Sequence, residues 1–161
     1  MVNLRELTLD DVPAIQRVDS GASVRYTTRR AATLAEAHDK VHTALTRAAK
    51  EPRQQWTWGI TVDDDLIGRI AMRRRDPGTA SLSYILREDT WGNGYATQAV
   101  QYVARFAFTA VGLDTLDAKH HPDNLASGRV LEKAGFTRLR MQDGLIEYHL
   151  TRRTYAEEPA A

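Results

Sequence analysis

Apolar positions along this chain alternate between two spacings, every second residue and steps of three and four, which mark strands and helices respectively. Val2 to Thr8 alternates loosely and predicts a first strand. Asp10 or Asp11 then caps a short helix with Val12, Ile15 and Val18 on one face and Pro13 in its first turn. Ser20 to Arg30 carries little pattern and reads as loop, with room for a short helix. Thr33 and Glu36 form a capping box ahead of a helix from Leu34 to about Lys50, with Leu34, Ala37, Val41, Ala44, Leu45 and Ala48 as its stripe. Trp56 to Val62 and Leu66 to Arg74 flank the turn Asp63-Asp64-Asp65 and predict a hairpin, followed by a fourth strand over Thr79 to Leu86. The cleanest helical period runs through Ala96, Ala99, Val100, Val103, Phe106, Ala107, Ala110 and Val111, and Gly112 closes it as a left-handed cap. Leu113 to His120 predicts strand five, and Asn124 caps a helix reaching Phe136. Asp143-Gly144 joins two last strands, Phe136 to Gln142 and Leu145 to Arg152, as a two-residue hairpin. Pairing outward sets Met141 opposite Ile146, Arg140 opposite Glu147 and Leu139 opposite Tyr148. Residues 153–161, ending Glu157-Glu158-Pro-Ala-Ala, read as a frayed tail.

Composition narrows the class. With 161 residues, 42% hydrophobic and 27% charged, the chain has the make-up of one globular domain with a substantial core. A net charge of +1 gives no reason to expect nucleic acid or an anionic membrane as a partner. The lack of cysteine excludes disulfides, thiolate metal sites and a cysteine nucleophile. No apolar stretch follows a basic start, so no signal peptide or membrane anchor is expected, and the expected location is the cytoplasm. The three consecutive aspartates lack the alternate spacing and closing Glu of a calcium loop, so no metal is expected. Arg73-Arg74-Arg75 reads as an exposed strand edge. His120 and His121 are adjacent on a strand and face opposite ways, so they read as two unrelated surface histidines.

Candidate chemistry centres on Tyr84-Ile85-Leu86-Arg-Glu-Asp-Thr-Trp91-Gly92-Asn93-Gly94-Tyr95-Ala96-Thr97, where strand four gives way to the most regular helix. A glycine loop here aims backbone N–H groups at one point ahead of a helix N-terminus, which suits a diphosphate. The glycines allow close approach of the backbone. No Gly-Lys-Ser/Thr follows, so this is not a P-loop, and Ala99 and Val100 stand near where a dinucleotide fingerprint has its third glycine. A plain strand-turn-helix joint is the competing explanation. On the next helix Ser127, Val130, Leu131 and Ala134 share the inward face, so the Ser127 hydroxyl needs a partner, such as a carbonyl one turn back. Arg129 and Lys133 lie four apart on a more polar face. Arg25, Tyr26, Arg29 and Arg30 read as solvated loop residues.

The block Trp91 to Thr97 resembles the acyl-CoA pyrophosphate loop of the GNAT superfamily of N-acetyltransferases, in its ribosomal-protein alanine acetyltransferase (RimJ/RimL-like) branch. Asn124-Leu-Ala-Ser127-Gly-Arg129-Val-Leu-Glu-Lys133-Ala-Gly-Phe136 is similar to that family's second block, and Leu4 to Ile15 to its opening. Trp91 departs from the Gln or Arg common three residues before the central glycine, a substitution typical of the branch. The resemblance implies a single α/β (α+β) domain over residues 1–152, with a mostly antiparallel, six- to seven-stranded mixed sheet flanked by about four helices. It implies acetyl-CoA as co-substrate and a primary amine as acceptor, on a protein N-terminus or a small molecule. Strand four would splay from its neighbour and pair with pantetheine through the backbone of Tyr84, Ile85 and Leu86. Gly92, Asn93, Gly94, Tyr95, Ala96 and Thr97 would hold the diphosphate, with Asn124 capping the helix that carries Ser127. Ser127 would protonate the departing thiolate, Arg129 and Lys133 would approach the ribose 3′-phosphate, and the first third of the chain, including Arg25, Tyr26, Arg29 and Arg30, would line the acceptor pocket. Glu147 aligns with an acid thought to serve as general base through a water, although Arg140 opposite would make it a weaker one. The acid that many branch members carry near Ser81 is missing. A non-catalytic acyl-CoA sensor is the alternative outside enzymes, and a homodimer is compatible with the reading.

Overall fold

The computed structural model describes residues 1–157 of the chain. Seven strands make one mixed sheet: β1 (Asn3–Glu6), β2 (Gln55–Val62), β3 (Asp65–Asp76), β4 (Thr79–Leu86), β5 (Thr115–His120), β6 (Thr137–Gln142) and β7 (Leu145–Thr151). Their order is β1-β2-β3-β4-β5-β7-β6, and only the β4–β5 pair is parallel. That pair is bridged by α3 (Tyr95–Phe106), as a parallel connection requires. The remaining helices are α1 (Val12–Val18), α2 (Leu34–Ala48), α4 (Leu125–Lys133) and α5 (Arg152–Glu157).

Both sheet faces are covered, each by its own apolar cluster. Ile70, Met72, Leu82, Val100, Val103, Leu116, Leu131 and Leu150 fill the layer between the sheet and α3 with α4. Leu7, Val12, Ile15, Val18, Ala37, Val41 and Leu66 form a second cluster under α1 and α2. The apolar stripe of α2 starts at Ala37, since Leu34 is exposed. Thr33 Oγ1 accepts from the Glu36 amide at 3.1 Å, and Glu36 Oε1 accepts from the Thr33 amide at 3.1 Å, which completes the capping box expected there. The two hairpin tips fold through left-handed pairs, Asp63 and Asp64 in one and Asp143 and Gly144 in the other.

Four details differ from the sequence reading. Arg73 pairs with both β2 and β4 and Arg74 with β4, so the strand carrying the basic run is not a sheet edge, although the Arg73 and Arg75 side chains are exposed as expected. Arg74 sits over the Trp56 ring and Arg75 reaches Asp117. The final hairpin keeps Met141↔Ile146 and Arg140↔Glu147 but then pairs Arg138, not Leu139, with Tyr148. A β-bulge at this point leaves Leu139 facing solvent on the edge strand, where an extra residue is tolerated. The segment expected as tail continues as α5, and Tyr155 packs its ring 5.2 Å from Phe108. An aromatic partner gives that last turn something to bury, and 158–161 lie outside the described residues. His120, expected at the surface, is buried. Among the described residues no helix is long and apolar enough to cross a membrane.

Candidate functional site

The glycine loop is shaped by backbone conformation. After β4 a short 3-10 turn, Glu88–Thr90, leads into Trp91, whose indole Nε1 donates to the Leu86 carbonyl at 3.2 Å and ties the loop to the strand end. Gly92 and Gly94 take φ of 80° and 78°, left-handed values that favour glycine. A Cβ at either would meet nothing within 4 Å, so the requirement is conformational and the space in front is free. Asn93 Nδ2 donates to the Thr90 carbonyl at 3.0 Å, holding the bend closed. The first bond of α3 runs from the Gln98 amide to the Gly94 carbonyl. Among the described residues, no acceptor meets the backbone N–H of Gly92, Asn93, Gly94, Tyr95, Ala96 or Thr97. Six consecutive backbone donors are therefore left without a protein acceptor at the positive end of a twelve-residue helix.

Beside the loop the sheet opens. β4 stays paired to β3 as far as Gly68↔Leu86, whereas its parallel ladder to β5 ends at Leu82↔Ala118. β5 runs on to His120 against β7, so Ser83 to Leu86 and Lys119 to His120 border a wedge. α4 lies across this wedge on the α3 side. Asn124 Oδ1 caps it by accepting from the Ser127 amide at 3.3 Å. The Ser127 hydroxyl meets the Tyr84 hydroxyl at 2.8 Å, and Tyr84 also lies 3.2 Å from the Ser127 carbonyl. The expected carbonyl one turn back is thus replaced by a side chain of the opposite wall. Burial pushes the Tyr84 hydroxyl up to about 12, against the lowering effect of its bond to Ser127, so it stays protonated. Gly128 lets α4 descend, because a Cβ there would lie 3.1 Å from His120 Nε2 and 3.2 Å from Tyr148 Oη. His120 Nδ1 lies 2.7 Å from the His121 carbonyl, which assigns its proton to that nitrogen.

Alternation on the strands puts the acids on the far face. Glu147 is flanked by the inward-facing Ile146 and Tyr148, so it projects away from α4. It is buried, lies opposite Lys119 on β5, and bonds Arg140 Nε at 3.2 Å. Asp117, also buried, accepts from Ser81 Oγ at 2.7 Å and pairs with Arg75 at 3.1 Å. The carboxylate missing from β4 is thus present on the adjacent strand. Arg129 and Lys133 are exposed on α4, and neither has a carboxylate partner among the described residues. The Tyr84 side chain and Asp117 were not singled out from sequence. A hydroxyl in the buried phase Ala80, Leu82, Tyr84, Leu86 is the signal that points to Tyr84.

At the open end of the wedge, beyond the last residues of β4 and β5, lies a cleft of about 720 Å³ bordered by Gly21, Ala22, Arg25, Tyr26, Arg29, Glu88, His121 and Asp123. Tyr26 stacks on His121 with centroids 5.0 Å apart and donates to the Asp123 carbonyl at 3.2 Å. Glu88 Oε2 accepts from the Ala22 amide at 2.9 Å. These contacts join the segment between α1 and α2 to both walls of the wedge.

Known proteins are similar to this chain in sequence or in fold. An uncharacterized N-acetyltransferase, p20, of Bacillus licheniformis is 25% identical over 149 residues, covering 90% of this chain and 82% of the relative. A probable N-acetyltransferase of Bacillus subtilis, YjcK, is 38% identical over 91 residues, covering 53% of this chain and 50% of the relative. Among solved structures, an aminoglycoside acetyltransferase, AAC(6′)-Ib, in complex with coenzyme A and kanamycin superposes with a TM-score of 0.78 at 19% identity, covering 97% of this chain and 98% of its own. A probable acetyltransferase superposes at 0.83 and 18% identity, covering 94% and 93%. The family model for the acetyltransferase (GNAT) domain matches residues 2–137, and the chain belongs to that family of acetyltransferases.

Proposed function

We propose that this chain moves an acetyl group from acetyl-CoA directly to a primary amine. The observation that carries the reading is the run of unpartnered N–H groups from Gly92 to Thr97 at the start of α3, which fits the two linked phosphates of a CoA thioester. The splay of β4 after Leu82 gives the pantetheine arm a strand edge to pair with, through the backbone of Tyr84, Ile85 and Leu86. Arg129 and Lys133 supply charge for the ribose 3′-phosphate. Asn124 holds the first turn of α4, and with it Ser127, at the wedge.

In the reaction a neutral amine attacks the thioester carbonyl, the new N–C bond forms and the C–S bond breaks. The amine is protonated near neutral pH, so a base must take its proton first. Glu147, on the face opposite Ser127, does so through a water. Tyr84 holds Ser127 Oγ in place, and Ser127 gives its proton to the departing thiolate and regains one from the N–H that the tetrahedral adduct must lose. Acid and base thus act from opposite sides of the wedge, and most of the acceleration comes from holding two substrates together. The acceptor is a protein N-terminus, as in the RimJ/RimL-like branch, or a small-molecule amine, as the aminoglycoside-bound structure illustrates. A cytoplasmic setting belongs to this reading.

The Glu147–Arg140 ion pair favours a second reading, an acyl-CoA sensor without turnover. Calorimetry with acetyl-CoA, followed by CoA release across a panel of amines and mass spectrometry of the products, tests both. Binding with amide product supports transfer, binding without product supports the sensor, and the absence of binding removes both.

A further inference from the structure

The cleft at the end of the wedge carries a charge pattern that bears on the acceptor. Arg25 and Arg29 stand on its border, and among the described residues neither guanidinium has a carboxylate, carbonyl or ring partner. Several arginines elsewhere are engaged: Arg5 with Asp11, Arg30 with Glu36, Arg69 with Asp19, Arg87 with Asp65 and Asp89. Arg30, adjacent in sequence to Arg29, is forked onto Glu36 at 2.7 and 2.8 Å, so the contrast is local.

Backbone conformation adds an independent observation. Arg29 has φ of 61°, a left-handed value unfavourable for a long side chain, and its amide is bonded to the Val24 carbonyl at 2.9 Å. Arg25 is fixed by its amide bond to the Ala22 carbonyl at 3.2 Å. Two consecutive turns thus place two cations on one wall.

Among the described residues neither acid of the cleft is ion-paired with them. Glu88 is turned to the Ala22 amide, and Asp123 stands beside His121, its Oδ2 3.8 Å from Nδ1. A polycation entering here would meet two guanidiniums as well as the carboxylates of Glu88 and Asp123. A zwitterion would meet a complementary charge for each end, and a planar fork suits a carboxylate or phosphate.

We infer that the acceptor is an amine that also carries an anionic group, carboxylate or phosphate, held by Arg25 and Arg29 while its amino end reaches the wedge. The inference rests on the acyl-transfer reading above and leaves the bonds made and broken as stated there.

The test compares matched acceptors with acetyl-CoA: ω-amino acids of two to six carbons, their amides and the corresponding alkylamines, then phosphoethanolamine against ethanolamine, with kanamycin as the polycation. The anionic member of at least one pair is expected to win by about tenfold in kcat/KM, with the carboxylate and phosphate arms separating the two anions. Arg25→Gln and Arg29→Gln should each erase most of that margin through KM for the acceptor. Raising the salt should shrink it in the unaltered protein, an arm that depends on no variant. Calorimetric affinity for acetyl-CoA reads the donor site separately. Equal or reversed preference with acetyl-CoA still bound overturns the inference and spares the transfer reading. So does a preference that survives both substitutions, or a panel in which no anionic amine is acetylated. Loss of acetyl-CoA binding in the unaltered protein overturns both.

Discussion

Tyr84 Oη lies 2.8 Å from Ser127 Oγ, a bond between the strand that parts from β5 and the helix that crosses the gap between them. The Tyr84 proton is held by burial, its hydroxyl being pushed up to about 12, so at neutral pH the phenol keeps one hydrogen to place on the Ser127 carbonyl or on Oγ. Whichever hydroxyl donates, the short contact fixes where Ser127 Oγ sits at the wedge. A serine oriented in this way can give its proton to a leaving group, and a phenylalanine at position 84 would leave it unoriented.

Tyr84→Phe is therefore expected to lower kcat by about tenfold and Ser127→Ala by about a hundredfold, the low end of what a positioned proton donor contributes. KM for acetyl-CoA should change little in either. The double substitution should be no worse than Ser127→Ala alone, because the two hydroxyls act as one unit. Steady-state kinetics of the three variants decides it, and additive losses would show that Tyr84 acts independently.

The loop glycines are required by φ and not by space. Gly94→Ala should cost about 1–2 kcal/mol of stability from the left-handed backbone alone. Asn tolerates that region better than Ala, so Gly94→Asn should retain more of it. Urea melts give the stability order, and calorimetry with CoA gives the affinity. If both variants bind CoA like the parent, the amides of this bend are not what grips the diphosphate.

Arg129 and Lys133 face solvent without partners among the described residues, so their charge is available to a phosphate. Arg129→Gln with Lys133→Gln should weaken CoA by about 1–2 kcal/mol, as expected for two exposed charge-assisted contacts. Dephospho-CoA, which lacks the 3′-phosphate, should bind parent and variant alike. An equal loss for both ligands would place the phosphate elsewhere.

Much of the frame could be read from local chemistry. The Thr33–Glu36 box, the Asp143-Gly144 turn and the β4 limits all depend on neighbours within a few residues, and each formed as read. Leu139 did not, because a bulge depends on how the edge strand twists against β7. Exposure of Arg73 and Arg75 followed as read, but their strand is not an edge, because position in a sheet is set by partners distant in sequence. At the site, the loop and Asn124 were legible as glycine and cap signals. The Tyr84–Ser127 bond spans 43 positions and Ser81–Asp117 spans 36, and no periodicity encodes such meetings.

Acid should loosen the N-terminal part of the fold first. The Arg30 fork, with the Thr33 amide, lowers Glu36 from its ordinary 4.5 to about 2. Arg5, helped by the Thr8 amide, lowers Asp11 as well. Both groups bind protons more weakly folded than unfolded, so their contribution is present above the ordinary carboxylate range. It is lost as pH falls from about 4.5 towards 2. Urea midpoints at pH 5.5 and about 3 should therefore fall more in the parent than in Glu36→Gln, which has already lost this linkage. Equal falls would show that the Arg30–Glu36 fork does not form in solution.

Glu147 meets Arg140 as the hairpin register requires, yet the two partners differ in exposure, 11% for the carboxylate side chain and 62% for the guanidinium. A pair with one arm in water contributes little, so Arg140→Gln should change stability by less than about 1 kcal/mol. Turnover should hold or rise, because removing the guanidinium leaves Glu147 a stronger base. Glu147→Gln is different. It keeps shape and burial but cannot take a proton, so kcat should fall by about 10²–10⁴ while acetyl-CoA affinity stays. A loss of kcat that shrinks at high pH, where the amine arrives already deprotonated, would tie Glu147 to removal of that proton. A uniform loss at every pH would make it structural, and unchanged turnover would move the base elsewhere, with Asp117 the next buried carboxylate on the same face.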